Sequence, residues 1–269
     1  MVVQHNLTAM NSNRMLGLTT KAQASSTEKL SSGYKINRAA DDAAGLAISE
    51  KMRRQIRGLA QASANAQDGI SMVQTAEGAL NEVHDMLQRI NELAVKGENG
   101  TLTASDRSYI NSEVQQLMSE IDRVASTTTF NEQNLLTGSV GTFDLQVGAE
   151  ANQHITLTIG AMSCQTIGLS GDATSVGNCQ TLNTNVKAAI KAVNEQRAQL
   201  GAIQNRLEHT INNLDNVVEN TTSAESAIRD TDMATEMVKY SNNNILAQAG
   251  QSMLAQANQS NQGVLSLLQ

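Results

Sequence analysis

The sequence predicts a mainly α-helical protein, in which long coiled-coil-like helices from both ends of the chain form an elongated, hairpin-like bundle around a small β-hairpin region. Three observations support this fold class. The 269 residues include no proline, so nothing breaks a helix from within. Aromatic residues make up only 2% of the chain, so the aliphatic residues, which favour helices, must supply the packing. Finally, apolar residues recur at helical spacing over long stretches.

The apolar spacing defines two long helices. One stripe, with members three and four residues apart, comprises Ile70, Val73, Ala76, Leu80, Val83, Leu87, Ile90 and Ala94. A second stripe covers 186–228 and has polar interruptions at Arg197 and Thr221. Stripes this narrow are typical of paired helices. Helices of roughly 45 to 50 residues would be about 70 Å long.

Between the two long helices the pattern changes. Thr103 and Asp106, in "KGENGTLTASD", have the spacing of a helix N-terminal capping box, and a third helical stripe follows over 110–124. Two runs then alternate with period two and predict a β-hairpin: they are Phe143, Leu145 and Val147, and Ile155, Leu157 and Ile159. Gly, Ser, Thr and Asn are frequent in 160–181, which predicts a small surface excursion.

The two ends of the chain are both polar. Residues 1–33 and 233–269 are rich in Gln, Asn, Ala and Ser, and each keeps only a thin apolar stripe. The stripes are Val3, Leu7, Met10 and Leu18, and Leu246, Ala249, Met253 and Ala257. Such helices bury too little surface to offset their ordering entropy. We therefore expect both ends to be largely disordered in the isolated monomer and to fold by packing with each other and with neighbours.

Composition argues against several function classes. A net charge of -7, few aromatic residues and no basic cluster argue against nucleic-acid binding. There is no apolar run of about 18 residues for membrane insertion, and no basic-then-apolar segment typical of a cleavable secretion signal. These rules alone predict a cytoplasmic protein. The four histidines are scattered and the two cysteines are too few for a zinc site, so we expect no metal or cofactor.

Asp41 and Asp42 are adjacent carboxylates that could suggest an acid and base pair. Successive helical residues point about 100° apart, so the two side chains cannot converge on one substrate atom. The neighbours are small, up to Gly45, which allows close backbone packing. The pattern favours helix capping, and no other convergent site is present, so we expect no enzyme activity.

Cys164 and Cys179 both lie in the predicted surface excursion. A disulfide between them would close a loop worth roughly 3 kcal/mol. Free thiols are the alternative, because spacing alone gives no geometry for the bond.

Long blocks at both ends of the chain are similar to bacterial flagellin. They are "HNLTAMNSNR", "LSSGYKINRAADDAAGLAISEKMR", "NAQDGISMVQTAEGALNEVHDMLQRINELAV", "LGAIQNRLEHTINNLDNVVENTTSAESAIRDTDMATEM" and "ILAQAGQSMLAQANQSNQGVLSLLQ". The resemblance covers 1–140 and 182–269 and is to a short form with a minimal variable region. It implies a discontinuous inner-core domain (1–33 and 233–269), a connector (34–47), a helical outer tube (48–140 and 182–232) and a β-hairpin with a short variable excursion (141–181).

The resemblance implies a structural subunit that is exported unfolded by the flagellar type III system and polymerises outside the cell into the filament used for swimming. A hook-filament junction protein and a dimeric coiled-coil scaffold are the alternatives. The residues implied in the connector and in polymer contacts are Asp41, Asp42, Gly45, Leu7, Met10, Leu246, Met253 and Leu265.

The resemblance also implies partners other than the chain itself. An export chaperone would hold the C-terminal helix, and cap and junction proteins would meet the filament ends. A host flagellin-sensing Toll-like receptor would bind Arg89, Leu93 and Glu113, which match the family's receptor motif. Arg89 and Leu93 are one residue off the apolar stripe, so we expect both beside the packed face, with surface free for a partner.

Overall fold

The structure is a computed structural model, and it describes residues 6–138 and 141–266, with side chains described up to residue 259. The described chain forms five helices: α1 (Leu7–Ser32), α2 (Ala43–Gly97), α3 (Ala104–Thr127), α4 (Val176–Arg229) and α5 (Met233–Ser266). Its strands are β1 (Thr129–Phe130), β2 (Gln133–Asn134), β3 (Thr142–Gln146) and β4 (His154–Thr158). The predicted mainly α-helical fold class with central hairpins is confirmed.

The packing divides the chain into two compact units. The terminal unit combines the described residues up to Arg54 with those from Asn220 onward, and the central unit is Gln55–Glu219. The helices α2 and α4 each contribute to both units, whereas α1 and α5 belong to the terminal unit alone.

The core of the central unit lies between α2, α3 and α4. All eight residues of the predicted α2 stripe are buried. They pack with buried residues of α3 and α4, namely Ile110, Val114, Ile121, Val186, Val193, Leu200 and Leu207. The polar interruption in the α4 stripe also has a partner, because Arg197 Nη2 lies 3.7 Å from Glu77 Oε1. Periodicity therefore identified the buried face of α2 correctly.

The predicted β-hairpin is confirmed. The strands β3 and β4 are antiparallel, with Phe143 opposite Leu157 and Leu145 opposite Ile155. Leu145 packs directly over Gly69 of α2, where a larger residue would collide with it. A second, two-residue hairpin, β1 with β2, was not predicted, because pairs this short leave no period in the sequence.

The segment after β4 is not a surface excursion, so that prediction is wrong. Its apolar side chains are buried in the core: Met162, Cys164, Ile167, Leu169 and Ala173. In addition, α4 begins at Val176, inside the segment assigned to the excursion. Ser175 Oγ accepts a hydrogen bond from the backbone N–H of Asn178 at 3.2 Å and so caps the N-terminus of α4.

Cys164 and Cys179 are both buried and free, so the disulfide alternative is wrong. Each is held by different neighbours. Cys164 Sγ donates to the Met118 carbonyl at 3.3 Å, and burial raises the pKa of its thiol to about 12. Cys179 packs on Gly97, where a side-chain carbon would lie 2.6 Å from Sγ.

Candidate self-assembly surface

The helices α1 and α5 form an antiparallel pair. Asn6 Nδ2 donates to the Ala257 carbonyl at 3.0 Å, and near the other end of the pair Ser26 donates a hydrogen bond to the Glu236 carboxylate. Between these contacts, Gly250 lies beside Leu16, and a side-chain carbon added at position 250 would be in van der Waals contact with Leu16 Cδ1 at 3.4 Å. As the residue number increases along α1, the number of the contacting residue on α5 decreases, so the two helices run in opposite directions.

The inward faces of both helices follow a seven-residue repeat typical of coiled coils. Their less exposed positions are Ala9, Ser12, Leu16, Thr19, Gln23, Ser26 and Leu30 on α1, and Glu236, Tyr240, Asn243, Ala247, Gly250, Leu254 and Ala257 on α5. Most of these side chains are small or polar. The pair therefore buries little apolar surface for helices of 26 and 34 residues.

Most of the large apolar side chains of this pair are exposed. Leu7 is 69% exposed, and Val238 and Ile245 are 61% and 64% exposed. The full set, named here the outer apolar surface, is Leu7, Met10, Met15, Leu18, Met233, Met237, Val238, Ile245, Leu246 and Met253. Leu7, Met10, Leu18, Leu246 and Met253, the predicted apolar stripes of the two ends, do not occupy the face between α1 and α5, where the small-residue repeat lies. Their part in contacts with neighbouring subunits stays a prediction. The predicted residues Val3 and Leu265 lie outside the residues whose side chains are described.

A shallow groove runs between α1 and α5. It has a volume of about 320 Å³ and is lined on one side by Met15 and Leu16 and on the other by Leu246, Ala249 and Met253. Exposed apolar side chains that line a concave surface are a typical feature of protein interaction sites. The sequence analysis did not single out Met15, Val238 and Ile245. They could have been found as large apolar residues at positions outside the seven-residue repeat.

In the terminal unit, the segment that follows α1 is hydrogen-bonded to the segment between α4 and α5. Lys35 N donates to the Arg229 carbonyl at 2.6 Å, and Thr231 N donates to the Gly33 carbonyl at 2.9 Å. The Arg229 guanidinium stacks 4.7 Å from the Tyr34 ring centroid. It also lies 2.8 Å from the Glu50 carboxylate, and this hydrogen bond lowers the pKa of Glu50. These contacts of Arg229 with Lys35, Tyr34 and Glu50 are named here the Arg229 clamp, and the sequence analysis did not predict them.

Asp41 and Asp42 cap backbone amides, as the sequence pattern favoured. Asp41 Oδ2 accepts from the Arg38 and Asn37 amides at 2.9 and 3.1 Å, which lowers the pKa of Asp41. Asp42 Oδ1 accepts from the Gly45 amide at 2.9 Å in the first turn of α2. The two carboxylates thus serve separate turns, and their part in polymer contacts stays a prediction.

The three residues of the receptor motif lie on α2 and α3. Arg89 Nε donates to Glu113 Oε1 at 2.9 Å, and this bond raises the pKa of Arg89. Leu93 is only 2% exposed, so the expectation of free surface on this residue is wrong. The reason is α3, whose Ile110 shares the core cluster with Leu93. Leu93 nevertheless lines a groove of about 280 Å³ beside Glu113 and the exposed Tyr109.

Two negative findings apply to the described residues. Within 6–138 and 141–266, no group of three or more His, Cys, Asp or Glu side chains could hold a metal ion. In the same ranges, no helix combines the length and the apolar character needed to cross a membrane.

Comparisons with known proteins agree with the resemblance seen in the sequence. Models of the bacterial flagellin N-terminal and C-terminal helical regions match residues 3–141 and 184–268. The flagellin of Halalkalibacterium halodurans is 54% identical and that of Bacillus subtilis 47% identical, each over all of both chains. The crystal structure of Bacillus cereus flagellin is similar with a TM-score of 0.52 and 29% identity, covering 56% of this chain and 88% of that one.

These matches define the class of the protein as a structural component of bacterial flagella. The chain belongs to the bacterial flagellin family, and the predicted family is confirmed. It is a structural subunit of the flagellar filament, which is an extracellular appendage.

Proposed function

We propose that this chain polymerises for swimming motility through the outer apolar surface of α1 and α5. The observation that carries the proposal is the exposure, within the described part of the chain, of ten large apolar side chains on α1 and α5. Covering such surface by neighbouring subunits contributes about 25 cal/mol per Å² of apolar area. Assembly would therefore bury the apolar surface of α1 and α5 that contact between the two helices leaves exposed.

The distribution of these side chains favours a polymer over a closed dimer. Val238 and Ile245 are seven residues apart and share one face of α5, whereas Leu246 and Met253 share another face about 100° away. Leu7 and Met10 add exposed surface on α1. A single partner would cover one of these faces, so several neighbours in a heterologous, helical arrangement are needed.

We also propose export of the chain in the unfolded state by the flagellar type III system. The weak inward faces of α1 and α5 support it, because little packing energy opposes their separation. An export chaperone would bind Leu246 and Met253 as an amphipathic helix in a groove. Because the polymer uses the same side chains, chaperone binding and polymerisation are mutually exclusive. Cap and junction proteins would meet the same surface at the filament ends.

The test is seeded polymerisation followed by electron microscopy and sedimentation. We expect Val238→Ser with Ile245→Ser to lower the yield of long filaments by roughly tenfold or more, since both lost side chains are apolar contacts. Gln248→Ser, an exposed polar change on the same helix, is the matched control and should polymerise as the unchanged protein does. Circular dichroism checks that helix content is kept.

Other outcomes of this experiment contradict the proposal. Equal filament growth of the double variant and the control would show that the outer apolar surface is not needed for polymerisation. If the unchanged protein forms only short oligomers, the result would favour a hook-filament junction protein over a filament subunit. Sedimentation as a dimer would favour the coiled-coil scaffold.

A second proposal is binding to the host flagellin-sensing Toll-like receptor at Arg89 and Glu113. Its support is the exposed ion pair at the rim of the groove that Leu93 lines, together with the 74% exposed Tyr109. We expect Arg89→Ala to weaken binding to the receptor ectodomain by roughly tenfold. Arg123→Ala is the matched control, because Arg123 also pairs with a glutamate on the exposed side of α3. Equal affinity of the two variants would count against this site.

A further inference from the structure

The methionines of the chain are divided sharply by exposure. Those on α1 and α5 are between 49% and 63% exposed: Met10, Met15, Met233, Met237 and Met253. The methionines described elsewhere are buried or half-buried: Met52, Met72, Met86, Met118 and Met162. Exposed thioethers are therefore concentrated on the outer apolar surface, the surface proposed for polymer contacts.

Thiols would ordinarily compete with thioethers for an oxidant, because a thiolate is the stronger nucleophile. Here both cysteines are buried. Burial also raises the pKa of both thiols, to about 12 for Cys164, so they stay protonated at neutral pH. The most accessible oxidisable sulfurs of the described chain are thus the exposed methionines.

We propose that Met10, Met15, Met233, Met237 and Met253 are a set of oxidation sites for peroxides, and that their conversion to methionine sulfoxide switches off self-assembly. In each step the thioether sulfur attacks one peroxide oxygen and an S–O bond forms as the O–O bond breaks. With hydrogen peroxide the second oxygen leaves as water. The sulfur loses two electrons and the peroxide gains them, so no further reactant is needed.

The effect on assembly follows from the change in polarity. A thioether is apolar and adapts to irregular contacts, whereas a sulfoxide is polar and chiral. Placing a sulfoxide in a packed apolar contact leaves its oxygen without the hydrogen bonds that it makes in water. The helices themselves should persist, because none of the five side chains lies among the fully buried residues of α1 and α5. This inference rests on the proposed polymer role of the outer apolar surface.

The first experiment treats the full-length monomer with dilute hydrogen peroxide and locates the added oxygen by peptide mass spectrometry. We expect sulfoxide at the five exposed methionines before Met72 and Met162 react. Seeded polymerisation of the treated monomer should fall by roughly tenfold. Treatment with both methionine sulfoxide reductases, one for each epimer, should restore it.

Variants separate these sites from the other methionines. The quintuple variant with Met→Leu at 10, 15, 233, 237 and 253 replaces each thioether with an apolar side chain of similar volume that cannot form a sulfoxide. Its filament yield after peroxide, divided by its own yield before treatment, should be close to one, whereas the same ratio falls for the unchanged protein. The matched control, Met72→Leu with Met162→Leu, should remain as sensitive as the unchanged protein. If the quintuple variant polymerises poorly before treatment, the pair Met10→Leu and Met15→Leu gives the same comparison, with a partial gain in resistance.

Three results would overturn the inference. One is sulfoxide appearing equally fast at Met72 and Met162, and another is full polymerisation of monomer that carries all five sulfoxides. In both cases the untreated protein still forms filaments, so the proposed function stands. If the untreated protein forms no filaments, the proposed function fails and the assembly switch fails with it.

Discussion

Gly45 shows how closely single residues are fitted at the start of α2. A side-chain carbon at this position would lie 2.5 Å from Asp42 Oδ2 and 2.8 Å from Ile36 Cδ1. Asp42 caps the Gly45 amide, and Ile36 is buried, so neither atom can move without losing a contact. Packing thus explains the glycine at position 45.

We expect Gly45→Ala to destabilise the protein by about 1 to 2 kcal/mol, because it displaces the cap and crowds Ile36. Thermal unfolding followed by circular dichroism measures the effect. Gly78→Ala is the matched control in the same helix, where an added side-chain carbon meets nothing within 4 Å. That change should be neutral or stabilising by up to about 1 kcal/mol. Equal behaviour of the two variants would contradict the crowding at position 45.

The helix α3 begins with a complete capping box. Thr103 Oγ1 accepts from the Asp106 amide at 3.2 Å, and Asp106 Oδ2 accepts from the Thr103 amide at 2.9 Å. The Thr103 hydroxyl also donates to the same carboxylate at 2.7 Å. These hydrogen bonds lower the pKa of Asp106, with the bond from the hydroxyl as the largest cause.

A lowered pKa in the folded state means that Asp106 stabilises the fold above its ordinary pKa of about 4. This contribution is lost as the pH falls through the folded value. We expect Asp106→Asn to be less stable than the unchanged protein near neutral pH, with the difference shrinking below about pH 4. Urea unfolding at several pH values measures it. A difference that stays constant across this range would contradict the assigned role of the carboxylate.

Sequence periodicity predicted the elements of the central unit well and the faces of the terminal helices poorly. In α2 the stripe from Ile70 to Ala94 is apolar throughout, so the period and the buried face coincide. In α1 the inward face carries residues such as Ser12 and Ser26, while Leu7 faces outward. A hydrophobic period identifies a face that can be buried, and in the described part of α1 and α5 the large apolar side chains of that face are exposed. Under the proposed function, neighbouring subunits cover them.

Features that depend on non-local contacts could not be predicted either. The Arg229 clamp joins residues far apart in sequence through backbone hydrogen bonds, which leave no compositional pattern. Leu93 lies one residue off the α2 stripe, which predicts a position beside the packed face with surface free for a partner, but α3 covers that side of α2 as well. Only the fold reveals that a helix has two packed faces.

For the whole molecule, the stability of the chain should be uneven. The core between α2, α3 and α4 is apolar, whereas the α1 and α5 pair is joined by small and polar residues. We expect amide hydrogens of α1 and α5 in dilute monomer to exchange much faster than those around Val83, and to become protected on polymerisation. Hydrogen exchange with mass spectrometry measures both. Strong protection of both ends in the monomer would contradict the proposal that they order on assembly.

The buried segment between β4 and α4 limits where this chain can accept foreign sequence. Because Met162, Ile167 and Leu169 belong to the core, a peptide epitope inserted among them would cost the packing of the central unit. The turn between β3 and β4 is different, since Ala151 and Asn152 are exposed. A filament engineered to display such peptides in many copies should therefore carry them at this turn.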